Sequence, residues 1–175
     1  MQNKITNQFL SGLLKKCHEE KKIACVDLLI GNDNGEIIAQ KRAANRKLFP
    51  GCWEVPGGHV EDGEGFVDTI KRELKEELNM DFVKLIDFVD SFDWESNGKK
   101  YRNFQFLGIA NGTPILTEPE KTTELLWINS SNLGILLENR LEGDDHHYRV
   151  VGKALEMLHG YTNEIYNLPN YLKNL

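Results

Sequence analysis

Between residues 4 and 17 the apolar positions Ile5, Phe9, Leu10, Leu13, Leu14 and Cys17 recur at spacings of three and four. That spacing marks one face of an amphipathic helix, expected to pack on its own domain or on a second subunit, as in a homodimer. Ile23 to Ile30, IACVDLLI, has no alternation and reads as a buried strand; GNDNGE then supplies an Asn34-Gly35 turn into a second strand, EIIAQ. A basic connector, KRAANRK, and a Gly/Pro-rich stretch, FPGCWEVPGGHVEDGEG, follow. Phe66, Ile70, Leu74 and Leu78 stand in i, i+4 spacing, which predicts a helix over 66–78 with its apolar stripe inward and its acids outward. Two strand-like runs, DFVKLIDFVDSFDW and KKYRNFQFLGIA, are joined through Ser96-Asn97-Gly98, a hairpin signal. A polar loop from Asn111 to Thr123 leads to a short apolar run around Trp127, and HHYRVVGKALEMLH predicts a C-terminal helix.

There is no internal repeat, low-complexity linker or composition shift. The expectation is therefore one α+β domain over 1–175, with a mixed sheet between flanking helices. Residues 1–22 supply the N-terminal helix, 23–128 the sheet and central helix, and 129–175 the C-terminal helices and tail.

Composition narrows the function classes. With 40% hydrophobic residues in a 175-residue chain, a core can form, and disorder is excluded. Twenty-seven acids against 21 bases, a net charge of −6, exclude a nucleic-acid polymer held on a basic face. No apolar run approaches the roughly 20 residues that span a bilayer, and the opening MQNKITNQFL is polar, so no membrane partner is expected. Cys17, Cys25 and Cys52 form no C-x-x-C pair, which suits reduced thiols in the cytoplasm. The charge is uneven: Glu54 to Glu77 holds eight acids against three bases, and the other 151 residues sum to only −1.

On the predicted helix Glu73, Glu76 and Glu77 share one face. Like charges so placed destabilise a helix by roughly 0.2–0.5 kcal/mol per pair unless a cation lies between them, and Mg²⁺ prefers such oxygen ligands. Arg72 can reach Glu76 at i+4 and hold it with a planar fork. A solvated acidic helix face is the plain alternative. Against it stands the loop upstream, where Gly57, Gly58, Gly63 and Gly65 permit close backbone approach and Glu64 adjoins the helix start.

These residues carry a specific resemblance. Gly58, Glu64, Arg72, Glu73, Leu74, Glu76, Glu77 and Met80, within GHVEDGEGFVDTIKRELKEELNM, fall on the signature G-x5-E-x7-R-E-U-x-E-E-x-G-U of the Nudix hydrolases, U being bulky and aliphatic. The one departure is Asn79 in place of glycine, mild because asparagine tolerates the left-handed conformation that ends a helix. The preceding FPGCWEVPGG extends the resemblance over about Ile23 to Trp127. It implies an α/β/α sandwich and hydrolysis of a nucleoside diphosphate linked to another group, with Mg²⁺ or Mn²⁺ as cofactor. By the same resemblance Glu73, Glu76 and Glu77 are metal ligands, joined by the Gly57 carbonyl, and Arg72 orients them. Glu64 supports the loop or a metal-bound water. The general base is a glutamate of this motif or a distal one, with Glu120 the candidate and Glu118 and Glu124 its rivals. Arg42, Trp53 and Glu54 are candidate substrate contacts. A solvated basic turn around Arg42, a core role for Trp53 and a helix-capping role for Glu142, Asp144, Asp145, His146 and His147 are the structural alternatives.

The resemblance leaves the substrate open. The stretch Asp93-Trp94-Glu95-Ser96 has neither the proline common in ADP-sugar hydrolases nor the tyrosine of dinucleoside polyphosphate hydrolases. The expectation is a small nucleotide, foremost a nucleoside triphosphate, including oxidised ones, with ADP-ribose-like compounds second. A non-catalytic sensor is disfavoured by the intact carboxylates. Isopentenyl diphosphate isomerase is disfavoured because Cys52 precedes Trp53 rather than following it.

Overall fold

The protein is described here by a computed structural model, which covers residues 5–166. The chain runs α1 (Asn7–Glu19), β1 (Ile23–Gly31), β2 (Ile37–Arg42), β3 (Trp53–Glu54), β4 (Gly57–His59), α2 (Phe66–Leu78), β5 (Asp81–Ser96), β6 (Lys99–Asn111), β7 (Thr122–Ile128), a short 3-10 helix (Leu133–Leu137) and α3 (His146–Tyr166). Helices cover both faces of the mixed sheet. The tail expected after the last helix lies outside the described residues.

The seven strands form one sheet of order β3-β2-β1-β6-β5, with β4 also paired to β1 and β7 to β2. β1 pairs in parallel with β6 from Ile23 to Gly31, and β6 pairs with β5 through the predicted hairpin. Asn97 and Gly98 both take positive φ, 50° and 71°, as a two-residue turn of right-handed twist requires. β2 lies between β3 and β7. The predicted Asn34-Gly35 turn is present, but β1 and β2 pair only at Gly31 and Ile37 beside it. Beyond that point β1 pairs with β4 at Cys25–Asp27, and the Leu28 amide donates to the Pro56 carbonyl. The strands splay because the Val55–Gly58 segment is inserted between them, and the opening forms a cleft.

The two faces hold separate cores. Alternate β1 residues Ala24, Val26, Leu28 and Ile30 meet the α2 stripe of Phe66, Ile70, Leu74 and Leu78, together with Leu10 and Cys17 of α1. Thus α1 buries its stripe on its own chain. On the other face Leu29, Leu107 and Val89 meet Val150, Val151, Ala154 and Leu158 of α3. Burial of an aliphatic side chain at such positions contributes about 1.5–3 kcal/mol, so the two stripes set the positions of α2 and α3. α2 ends at Asn79, in the left-handed conformation at φ 52°, with the Met80 amide donating to the Leu74 carbonyl at 3.2 Å. That is the closure expected of asparagine in place of glycine.

Candidate active site

The cleft at the splayed strands encloses about 560 Å³, the size of a small-molecule site. Its wall draws on both faces of the sheet: Gly57, Gly58, Glu73, Glu76 and Glu77 form the α2 end, and Asp27, Phe92, Trp94, Asn103, His146 and His147 the α3 end, with Asp27 in register beside Gly57.

The α2 end is organised by Arg72. Its Nε and Nη2 donate to the two Glu64 oxygens at 2.8 and 2.9 Å, a bidentate fork. Its Nη1 reaches Glu73 at 2.7 Å and Glu76 at 3.2 Å, and its Nη2 also reaches the His59 carbonyl at 2.9 Å. The guanidinium holds Glu64 down at about 2, below the ordinary carboxylate range, with the Thr69 hydroxyl helping. Glu64 is therefore a loop support tied to Arg72. Glu76 is exposed, and the expected contact with Arg72 forms.

The acids do not all face outward as the helix pattern predicts. Glu73 is buried, and Glu77 is half-buried beneath β4. Glu77 accepts hydrogen bonds from the Gly57 amide at 2.9 Å and from the Gln40 side chain at 3.3 Å, both neutral. Burial pushes Glu77 up to about 8 and raises Glu73 as well. The reason they turn inward is the glycine pair: a Cβ on Gly57 would strike the Val26 carbonyl, and one on Gly58 would strike the Glu73 carboxylate. Only a backbone without side chains fits between β1 and α2 here.

This donor set fits a hard divalent cation. One guanidinium is shared by Glu64, Glu73 and Glu76, and among the described residues Glu77 has no ion-pair partner and the buried Gln40 Oε1 beside it no hydrogen bond. A cation accepting oxygen ligands would offset that surplus of buried negative charge. As the side chains stand, no three His, Cys, Asp or Glu groups among the described residues are gathered as a metal requires, since Glu76 is drawn to Arg72.

The remaining expectations divide. Arg42 lines the cleft and is paired with Glu54 at 2.7 Å, its Nε donating to the Leu48 carbonyl at 2.9 Å. Glu54 also lines the cleft, and burial raises its carboxyl. Trp53 does not stack on a ligand: it is 3% exposed in the α3-side core and absent from the cleft wall. Strand alternation turns Glu54 to the cleft and Trp53 away from it. Of the three distal acids, Glu118 lines the cleft and pairs with Lys121, whereas Glu120 is exposed outside it and Glu124 pairs with Lys41 at 2.8 Å. The run before α3 is more than a surface cap. Asp144 and Asp145 pair with Arg140 and Arg149, but His146 and His147 enter the cleft wall, where burial holds His147 down at about 3. Glu142 remains exposed.

Sequence inspection passes over the other end. Asp27 is 7% exposed, accepts from Asn103 Nδ2 at 2.6 Å and Gln105 Nε2 at 3.2 Å, and is lifted to about 7 by burial. Gln105 Nε2 also lies 2.8 Å from His146 Nε2, and the His146 ring sits 3.9 Å from that of Phe92. The available signal is a lone acid inside the otherwise apolar run IACVDLLI.

A glycine-cradled carboxylate helix packed on one face of a mixed sheet defines the class of fold and site, and comparison with known proteins identifies the family. The chain belongs to the Nudix family: residues 21–151 match the NUDIX domain. It is 44% identical over 57 residues to an uncharacterised Nudix hydrolase of Nostoc sp., covering 32% of this chain and 34% of that protein. With the nucleoside triphosphatase NudI of Salmonella agona it shares 41% identity over 64 residues, covering 37% and 43%. The chain thus spans about a third and under half of these relatives. Among solved structures, the MutT NUDIX hydrolase from Burkholderia pseudomallei superposes with a TM-score of 0.59 at 26% identity, over 78% of this chain and 97% of that one. Among the described residues no helix is long and apolar enough to cross a membrane, and the three cysteines are free and buried.

Proposed function

We propose that the protein is a Mg²⁺- or Mn²⁺-dependent pyrophosphohydrolase of nucleoside triphosphates, oxidised ones included. The single observation that carries this reading is the pair of buried carboxylates, Glu73 and Glu77, against the bare backbone of Gly57 and Gly58. Similarity to a protein named as a nucleoside triphosphatase supports the choice of substrate.

Glu73, Glu76 and Glu77, with the Gly57 carbonyl, would hold the ion. An ion held there would supply charge neutralisation for the phosphates and a water of lowered pKa. The chain's own residues supply the rest. Arg72 keeps Glu73 and Glu76 oriented while Glu64 anchors Arg72 from the loop. The side-chain-free backbone at Gly57 and Gly58 lets Glu73 pack directly against β4. Arg42, held by Glu54 in the cleft wall, offers a guanidinium to the phosphate chain. Glu118, on the loop before β7, replaces Glu120 as the distal acceptor for the water's proton because it alone of the two lines the cleft.

The test is a panel of nucleoside triphosphates, their oxidised forms, ADP-ribose and ADP-sugars incubated with purified protein and Mg²⁺ or Mn²⁺, with products resolved by chromatography. Metal-dependent release of pyrophosphate and a monophosphate is the expected outcome. Tight binding of a nucleotide without cleavage would favour a sensor instead, and preferential cleavage of ADP-ribose would overturn the substrate class.

A further inference from the structure

The α3 end of the cleft is a polar island on an apolar sheet face. Leu29, Val89 and Leu107 continue that face as packed core, yet in the register next to them stand Asp27, Asn103 and Gln105, and Asp27 and Asn103 open to the cleft. Their hydrogen bonds run in one direction. An indole nitrogen only donates, so the 2.7 Å bond from Trp94 Nε1 fixes Asn103 Oδ1 as acceptor and turns Asn103 Nδ2 to Asp27. Gln105 Nε2 directs its N–H groups at Asp27 Oδ2 and His146 Nε2, leaving His146 protonated on Nδ1. The island therefore consumes its amide donors internally and keeps acceptors to spare. Both Asp27 oxygens retain a lone pair, as does Asn103 Oδ1; Gln105, fully buried behind them, has no partner for Oε1 among the described residues. Phe92, beside the island on β5, adds an aromatic ring to the same wall.

Among the common nucleobases, adenine and cytosine present one amino donor beside a ring acceptor, and uracil and thymine one N–H between carbonyls. Guanine alone presents two adjacent donors, N1–H and its 2-amino group. We propose that this end of the cleft binds the base of the nucleotide and selects guanine through those two donors, with Asp27 as the specificity-determining residue. The proposal rests on the nucleotide reading above and names its substrate class more narrowly. A site built to accept from a particular donor rejects analogues that lack it, because its buried acceptor is then left unpaired.

Base recognition is separable from hydrolysis by measuring binding without metal. Calorimetric titration of the full chain at pH 8 with GMP, inosine monophosphate and AMP is the experiment. Inosine monophosphate differs from GMP only by loss of the 2-amino group. GMP is expected to bind about tenfold or more tighter than either. In Asp27→Asn the GMP advantage is expected to collapse to about twofold while AMP affinity stays put, since an amide puts a donor where the acceptor was. Equal affinities for GMP and inosine monophosphate, preference for AMP, no measurable binding of any of the three, or a GMP preference surviving in Asp27→Asn would each overturn it. Should Asp27→Asn fail to fold, the GMP and inosine comparison on the unaltered chain decides alone. Hydrolysis without base preference sinks this inference and leaves the hydrolase reading standing; guanine preference without hydrolysis does the reverse.

Discussion

The two ends of the cleft are built by opposite means. At the α2 end the motif carboxylates and their guanidinium, Glu64, Arg72, Glu73, Glu76 and Glu77, lie within 14 positions of chain, and the helix with its preceding loop sets their geometry. At the α3 end Asp27, Phe92, Asn103, Gln105 and His146 come from β1, β5, β6 and α3, and only the assembled sheet brings them together. The first end gathers negative charge with too few cations; the second gathers neutral amides and aromatic rings around one acid. A nucleotide has the same division, phosphates at one end and a planar base at the other. On the proposed reading, charge and base recognition fall to elements that can vary independently.

The comparison breaks most sharply at Glu77. Glu77→Gln keeps the size of the side chain and its position beneath the Gly57 amide, so the fold should persist while turnover falls by on the order of 10²–10³. Circular dichroism beside steady-state kinetics checks both parts. A smaller effect sharpens the distal assignment. Glu118→Gln should lower kcat about tenfold and Glu120→Gln by less than about twofold, because only the first reaches the cleft. Equal effects of the two would return the loop to a solvated surface.

Next comes pH. Glu77 and Asp27, one at each end, sit at about 8 and about 7 in the folded protein, above the ordinary carboxylate range, so the folded state holds protons that the unfolded chain releases. Their favourable contribution is complete below the ordinary carboxylate range and lost as pH rises towards 8. The metal-free protein should therefore melt several degrees lower at pH 8.5 than at pH 6, by calorimetry. Adding Mg²⁺ should recover the share due to Glu77. The smallest expected change is at Trp53, buried with its Nε1 unpartnered. Trp53→Phe should alter stability by about 1 kcal/mol or less, the lost packing offset by removal of an unsatisfied donor, and leave KM unchanged.

What was legible in the sequence follows the same division. The helix 66–78, the Asn97-Gly98 hairpin and the left-handed Asn79 are local patterns, and the structure places them as expected. The inward turn of Glu73 and Glu77 was not legible, because it depends on how closely β4 approaches α2. Nor was the single-point pairing of β1 with β2, since a turn signal specifies a reversal and not how far the strands stay together. Trp53 and Glu54, adjacent in the sequence, both read as substrate contacts, and strand alternation separates them. Asp27 stood in plain view as one acid in a buried strand, but its partners lie 76 and 78 positions away.

The central claim is that Glu73 and Glu77 are the nucleus of a divalent-cation site. Titration of Mn²⁺ into the metal-free protein, followed by electron paramagnetic resonance of the free ion, tests it without substrate. The account predicts saturable Mn²⁺ binding that Mg²⁺ displaces and that weakens at least tenfold in Glu77→Gln. Binding of equal strength in the variant, or none in the unaltered chain with or without nucleotide, would contradict it.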